Sequence, residues 1–129
     1  MKPRESMVQL KMFQVRAKRR EIAQLDMMIV EFERMVLELE AQIMKEERKS
    51  GNTDVHHFAY SAFARAARQR RDNLVNSIRD LQLQKTNAEI VLHEAHTELQ
   101  RAKLLEARGS GTIRGDDDIV IQSNSMTGS

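Results

Sequence analysis

Apolar residues recur every seven positions over the first part of the chain, starting from Val8. Between residues 6 and 49, the a positions of this heptad repeat are all β-branched and apolar, whereas the d positions include the charged residues Lys11, Lys18 and Glu46. A period of 3.5 residues sustained over this length is typical of a left-handed coiled coil. We therefore predict a helix over about residues 5–49. Its apolar seam comprises Val8, Val15, Ile22, Leu25, Ile29, Phe32, Val36, Leu39 and Ile43.

A second heptad repeat extends over about residues 61–107, and its seam is rich in alanine. The d positions include Ala67, Ala88, Ala95 and Ala102. Small residues on one helix leave room for large residues on a facing helix, so that the two layers interdigitate. We predict that this second helix packs against the first. Its larger seam residues are Leu74, Ile78, Leu81, Leu92 and Leu99.

The segment between the two repeats predicts a reversal of the chain. Gly51 follows the first helical pattern and is a natural C-terminal cap, because glycine tolerates the left-handed backbone conformation. Thr53 or Asp54 is suited to cap a new helical turn. A loop over residues 50–60 is long enough to bring the second helix back along the first. The predicted fold of residues 1–108 is therefore an all-α, two-helix antiparallel coiled-coil hairpin.

Two registers of this hairpin compete. The preferred register places Ile29 opposite Leu81. A shift by one heptad places Ile29 opposite Leu74 and also sets Lys18 against Lys85. We prefer the first register because the second places two like charges within the seam.

The last part of the chain follows a different pattern. Residues 109–118 contain three Gly and three Asp, and the residues beyond them are rich in Ser, Asn and Thr without a helical period. Such a composition is typical of a flexible segment. We therefore predict that the second helix ends at about residue 107 and that residues 109–129 form a disordered tail.

The composition argues against an enzyme. The chain of 129 residues contains no Cys, and neither a phosphate-binding loop nor a nucleophile with its base is recognisable. His93 and His96 are three residues apart, whereas a zinc-binding helix motif needs a spacing of four. No apolar run is long enough for a membrane helix or a signal peptide. We expect a cytosolic, non-enzymatic protein without metal or cofactor.

Charge is unevenly distributed, although the net charge is only +2. Residues 1–20 hold seven basic residues and one acidic residue, a net charge of +6, and four Arg cluster between residues 65 and 71. Such patches favour an acidic partner, and a merely solvated helix face is the alternative at each patch. The candidate partner-binding residues are Lys11, Arg16, Lys18, Arg19, Arg20, Arg65, Arg68 and Arg70.

Methionine is concentrated in the first repeat, where three of its Met residues flank the seam: Met12, Met28 and Met35. Methionine fills irregular gaps in cores and is also frequent at adaptable protein-binding surfaces. Two interpretations of these methionines stay open. They either extend the buried core at the edge of the seam, which we favour, or line a groove that binds a partner.

Five segments resemble a known family. They are residues 10–15 (Leu-Lys-Met-Phe-Gln-Val), 18–20 (Lys-Arg-Arg), 29–35 (Ile-Val-Glu-Phe-Glu-Arg-Met), 57–60 (His-Phe-Ala-Tyr) and 69–74 (Gln-Arg-Arg-Asp-Asn-Leu). These segments are similar to those of the alphaproteobacterial flagellar export protein FliJ, and the resemblance covers roughly residues 1–108.

The resemblance implies a two-helix antiparallel coiled coil, similar to the central stalk of rotary ATPases, that belongs to the flagellar type III protein export apparatus. It implies a monomer that binds the hexameric export ATPase and the export gate membrane protein, and that assists export chaperones. It also implies a cytoplasmic location, peripherally associated with the inner membrane at the flagellar base. The chain departs from the family at Gly109, where family members usually continue the second helix.

Two other functions are compatible with the residues. A basic N-terminal stretch followed by heptads is a feature of basic-zipper factors that bind nucleic acid, and a plain structural coiled coil needs no specific partner. In a zipper, the basic region precedes the heptads and the partner helix comes from a second chain, whereas here the two features overlap and the second repeat supplies the partner. We therefore expect no nucleic acid ligand.

Overall fold

The fold consists of two long helices packed against each other as a hairpin, which confirms the predicted all-α class. The computed structural model describes the backbone of residues 3–114 and the side chains of residues 6–109. Helix α1 is Pro3–Ser50, and helix α2 is Ala62–Arg114. The observed start and end of α1 and start of α2 lie within two residues of the predicted positions.

Both ends of α1 follow ordinary helix chemistry. Pro3 begins the helix, where a missing backbone N–H is harmless because the first amides have no partner within a helix. Arg48 and Lys49 occupy the last turn, where positive charge is favourable next to the free carbonyl groups. Gly51 then ends the helix with a φ of 70°, and its amide donates a hydrogen bond to the carbonyl of Glu47 at 2.9 Å. The predicted cap at Gly51 is confirmed.

Ser61 caps α2, because its hydroxyl accepts a hydrogen bond from the Ala64 amide at 3.1 Å. Asp54, which is predicted as a possible cap of a new helical turn, shapes a turn within the loop. Its carboxylate accepts a hydrogen bond from the His56 amide at 3.0 Å, and its carbonyl accepts one from the His57 amide at 3.1 Å. Serine and aspartate are both suited to this kind of capping.

The predicted end of α2 is wrong, because the helix continues through Gly109 and Gly111 to Arg114. A glycine inside a helix costs only about 1 kcal/mol relative to alanine, and each added residue of a formed helix gains a backbone hydrogen bond. Two isolated glycines therefore do not stop a helix that is already propagating. The rest of the predicted tail, residues 115–129, lies outside the described residues.

Two compact units make up the hairpin. Of the described residues, the first unit combines residues 3–20 with residues 89–114, and the second comprises residues 21–88. In the first unit, Val15, Ala95 and Leu99 form a buried cluster, against which Val8, Met12 and Leu92 pack. In the second unit, Leu25, Ile29, Leu81 and Ala88 form another cluster, joined by Ile22, Phe32 and Ile78.

The clusters support the preferred register. Ile29 shares its cluster with Leu81, and Leu74 is not a member of that cluster. Two charged seam residues pair with carboxylates on the other helix, since Lys11 Nζ lies 2.5 Å from Glu98 Oε2 and Lys85 Nζ lies 2.7 Å from Asp26 Oδ1. Every a and d position of both repeats is buried or half-buried, including all the predicted seam residues.

Candidate protein-interaction site

A basic groove lies in the first unit, on one side of the seam. It is a shallow cavity of about 310 Å³ whose cationic side chains are Arg16, Arg19 and Lys103. Arg16, Arg19 and Lys103 are exposed, and none has an ion-pair partner among the described residues. The groove is lined by Met12, Val15, Arg16, Arg19, His96, Leu99, Gln100 and Lys103.

Three members of the basic groove were not among the predicted residues. Lys103, His96 and Gln100 come from α2 and are far from Arg16 in sequence, so that a search for charge runs along the chain does not join them. The signal that finds them is the register of the hairpin. Once Val15 is placed opposite Ala95, the flanking e and b positions of the two helices fall on the same side of the seam.

The other predicted cations of this unit lie elsewhere. Lys11 is half-buried and bonded to Glu98, and this hydrogen bond holds the pKa of the Glu98 carboxyl below its usual range. Lys18 lines the opposite groove, a cavity of about 340 Å³ that also contains Phe13 and Val91. Arg20 is exposed at the f position of α1 and lines neither groove. The basic residues between positions 11 and 20 are thus divided among three surfaces.

The second arginine cluster is partly structural. Arg68 donates from Nη2 to Glu47 Oε2 at 3.0 Å and from Nε to the Tyr60 hydroxyl at 2.9 Å. Tyr60 is 5% exposed, and its hydroxyl donates to Glu47 Oε2 at 2.7 Å. The hydrogen bond from Tyr60, followed by that from Arg68, lowers the pKa of Glu47 from its ordinary value. This network connects the loop to both helices. It also pairs the positive charge of Arg68 with the carboxylate of Glu47.

The remaining arginines of that cluster separate from one another. The Arg65 guanidinium is exposed and lies 5.3 Å from the centroid of the Tyr60 ring, a cation–π distance. Arg70 is exposed beside a cavity of about 370 Å³ that also contains Met35 and Leu74. Arg71, the fourth member, is half-buried, and its Nη2 lies 3.0 Å from Asp72 Oδ1. The second cluster therefore does not form one continuous basic surface.

The methionines of α1 divide between half-buried and exposed positions. Of the methionines, Met12 and Met35 are half-buried, as the shoulder interpretation expects. Met27, Met28 and Met44 are exposed by 67%, 44% and 53%, respectively. The interpretation as extra core is therefore wrong for Met28, which is one of the three residues that flank the seam.

The described residues show no arrangement for metal binding. Between residues 6 and 109, no three His, Asp or Glu side chains are grouped so that they could hold an ion, and His93 and His96 are both exposed. Within the same part of the chain, neither helix contains a stretch long and apolar enough to cross a bilayer.

Comparisons of the chain with family models, with curated proteins and with solved structures give no match.

Proposed function

We propose that this protein is a non-enzymatic adaptor of the flagellar type III export apparatus, which binds the hexameric export ATPase through the basic groove. In this role it also contacts the export gate and assists chaperones, and it acts as a monomer in the cytoplasm, peripherally at the inner membrane. The proposal rests on the resemblance of five sequence segments to the flagellar export protein FliJ and on the charge of the groove.

The observation that carries the proposal is the convergence of Arg16, Arg19 and Lys103 on one groove. These cations are not neutralised within the described residues, so their field extends outward to a partner. Val15 and Leu99 lie beneath these cations and are 4% and 6% exposed, so the groove follows a well-packed part of the seam.

The groove also bears on the nucleic-acid alternative. A basic zipper uses its heptads to join two chains and leaves a continuous basic helix for the major groove. Here the heptads of α1 are covered by α2 of the same chain, and the basic positions lie beside that covered seam. Such a geometry favours a protein partner with a convex acidic surface.

The test is a pull-down with the purified flagellar export ATPase from the same source. The groove variant Arg16→Glu/Arg19→Glu/Lys103→Glu is compared with a control, Arg20→Glu/Arg65→Glu/Arg70→Glu, which changes the net charge equally at exposed positions outside the groove. We expect the native chain and the control to retain the ATPase and the groove variant to lose it, while far-UV circular dichroism stays the same for all three.

Three results contradict the proposal. If the native chain does not retain the ATPase, the export role is wrong. If both triple variants lose binding equally, net charge rather than the groove is responsible. If the native chain binds labelled duplex DNA more tightly than the ATPase, and the groove variant abolishes that binding, the nucleic-acid function replaces the proposed one.

A further inference from the structure

The outer face of α1 in the second unit carries a second heptad pattern, which is separate from the buried seam. Its members recur at alternating steps of four and three residues. They occupy the f and b positions, on the side of α1 that faces away from α2. We call this set the back stripe, and it consists of Ala23, Met27, Val30, Arg34, Leu37, Ala41 and Met44.

The large apolar members of the back stripe are exposed to solvent. Met27 is 67% exposed, Val30 65%, Leu37 67% and Met44 53%. Positions b and f of a coiled coil are normally polar, because they face water. An apolar row with heptad spacing at these positions presents a partner helix with the same geometry that α2 meets on the buried side.

Arg34 does not interrupt this surface. Its guanidinium is held by the carboxylates of Glu31 and Glu38, both on α1. The charged head is thereby drawn toward the edge of the stripe, and its aliphatic stem adds to the apolar surface. The back stripe is therefore continuous from Met27 to Met44.

The edges of the back stripe are acidic. Between residues 21 and 44 there are six acidic residues and one basic residue, a net charge of −5. Asp26 pairs with Lys85 of α2, whereas Glu33 and Glu40 are exposed and have no ion-pair partner among the described residues. An approaching helix therefore meets an apolar centre between two carboxylate rows.

These carboxylates disfavour a second copy of the chain. If two back stripes paired antiparallel about their centres, Glu33 of one copy would lie opposite Glu40 of the other, and Glu31 opposite Glu38. In a parallel pairing, Glu33 would face Glu38, whereas Glu40 would face Lys45. Like charges at flanking positions destabilise a helix pair, so the charges oppose the antiparallel pairing of two copies above all.

We propose that the back stripe docks an amphipathic helix of a partner protein, whose apolar heptad residues are flanked by Lys or Arg. The apolar row supplies the buried contact, and the carboxylates, above all Glu33 and Glu40, select basic flanks. The inference depends only on the second unit and holds whether or not the protein acts in flagellar export.

Three designed peptides of equal length test this proposal by fluorescence anisotropy on the full chain. The first has Leu at its heptad core positions and Lys at the flanking positions, the second has Glu in place of Lys, and the third has the first peptide's composition in a scrambled order. We expect only the first to bind, because the second is repelled and the third lacks a continuous apolar stripe.

Variants of the protein locate the binding surface. Val30→Ser/Leu37→Ser is expected to weaken binding of the Lys-flanked peptide by about tenfold or more, since two desolvated apolar contacts are lost. Leu83→Ser/Ile90→Ser is the matched control, because these α2 residues are also exposed, by 62% and 54%, and lie off the stripe. It should bind as the native chain does.

A second pair of variants isolates the charge. Glu33→Lys/Glu40→Lys should weaken binding of the Lys-flanked peptide, and Glu89→Lys/Glu94→Lys, an equal change of charge in exposed positions on α2, should leave it nearly unchanged. All changed positions are exposed, and unchanged helical circular dichroism and urea midpoints verify the fold.

Several results overturn the proposal. Equal binding of the Lys-flanked and Glu-flanked peptides would show that the carboxylates do not select basic flanks. Binding that is unchanged in Val30→Ser/Leu37→Ser would show that the peptide binds to another surface. Sedimentation of the native chain as a dimer that becomes a monomer in Val30→Ser/Leu37→Ser identifies a second copy as the occupant instead.

Discussion

Replacement of Leu81 by alanine tests the seam most directly, because a matched leucine lies two positions further along the same helix. Leu81 is 7% exposed and belongs to the buried cluster with Leu25 and Ile29, whereas Leu83 is 62% exposed. Leu81→Ala and Leu83→Ala change the helix propensity identically. Any difference in their stability therefore reports the packing of the two helices.

The expected magnitudes follow from this difference in burial. A buried Leu→Ala substitution costs about 2–5 kcal/mol, and the cost is smaller where the surroundings can collapse into the cavity. Because the core here is a single layer between two helices, we expect about 2–3 kcal/mol for Leu81→Ala. An exposed substitution usually changes stability by less than about 0.5 kcal/mol, which is our expectation for Leu83→Ala.

Urea unfolding followed by far-UV circular dichroism measures both variants. The midpoint of Leu81→Ala should fall while the slope stays the same, and neither value should depend on protein concentration, since the partner helix is in the same chain. Equal losses in the two variants would show that position 81 is not in a buried seam. A midpoint that rises with concentration would show that the seam is completed by another copy.

Three further predictions follow from the loop, the register and the polar network. Gly51→Ala should lower the free energy of unfolding by about 1 kcal/mol in urea titrations, because the φ of 70° is unfavourable for alanine even though no atom lies within 4 Å of the added carbon. On mild oxidation, the pair Ile29→Cys/Leu81→Cys should form an intramolecular disulfide in preference to Ile29→Cys/Leu74→Cys, and the opposite preference on gel electrophoresis would reject the register. The pKa of the Glu47 carboxyl is lower in the folded state than in the unfolded chain. The ionised carboxylate therefore stabilises the fold at pH values above its unfolded-state pKa, and this stabilisation is lost as the pH falls through its folded-state pKa. Glu47→Gln should therefore flatten the decline of urea midpoints between about pH 6 and about pH 3, and an unchanged decline would exclude this carboxylate as a source.

The buried seam was predictable from the sequence because a single physical signal dominates it. A helix that must bury one stripe along its whole length needs an apolar residue at each a or d position, or a charge that can be paired. Val15 and Ile29 satisfy the first condition and are 4% and 7% exposed. Lys11 and Lys85 satisfy the second by pairing with carboxylates across the seam.

The end of α2 and its cap depended on smaller energies. Gly109 was expected to stop the helix, but a penalty of about 1 kcal/mol is too small to outweigh continued propagation. Ser61 caps α2, but threonine, aspartate and serine all occur between Gly51 and α2 and are all suitable caps by residue type, so that residue type alone does not identify the cap. Composition alone does not fix a boundary of this kind.

The function of the charged residues was harder to predict, because it depends on contacts between distant positions. Arg68 and Arg65 are alike in sequence, yet one is bonded to Glu47 and the other is exposed. Likewise, Lys103 joins Arg16 only when α2 folds back on α1. Charge counted along the chain predicts that a basic region exists, and the register of the helices decides which cations share a surface.

The small net charge conceals a division that gives the two proposed interactions their selectivity. Residues 1–20 have a net charge of +6, whereas residues 21–44 of the same helix have a net charge of −5. An acidic partner is attracted to the basic groove and repelled by Glu33 and Glu40 beside the back stripe, and a basic helix experiences the reverse. Arg16 and Arg19 belong to one unit and the back stripe to the other. The two proposals therefore require partners of opposite charge, and reversing the charge of one surface should change binding of only one of them.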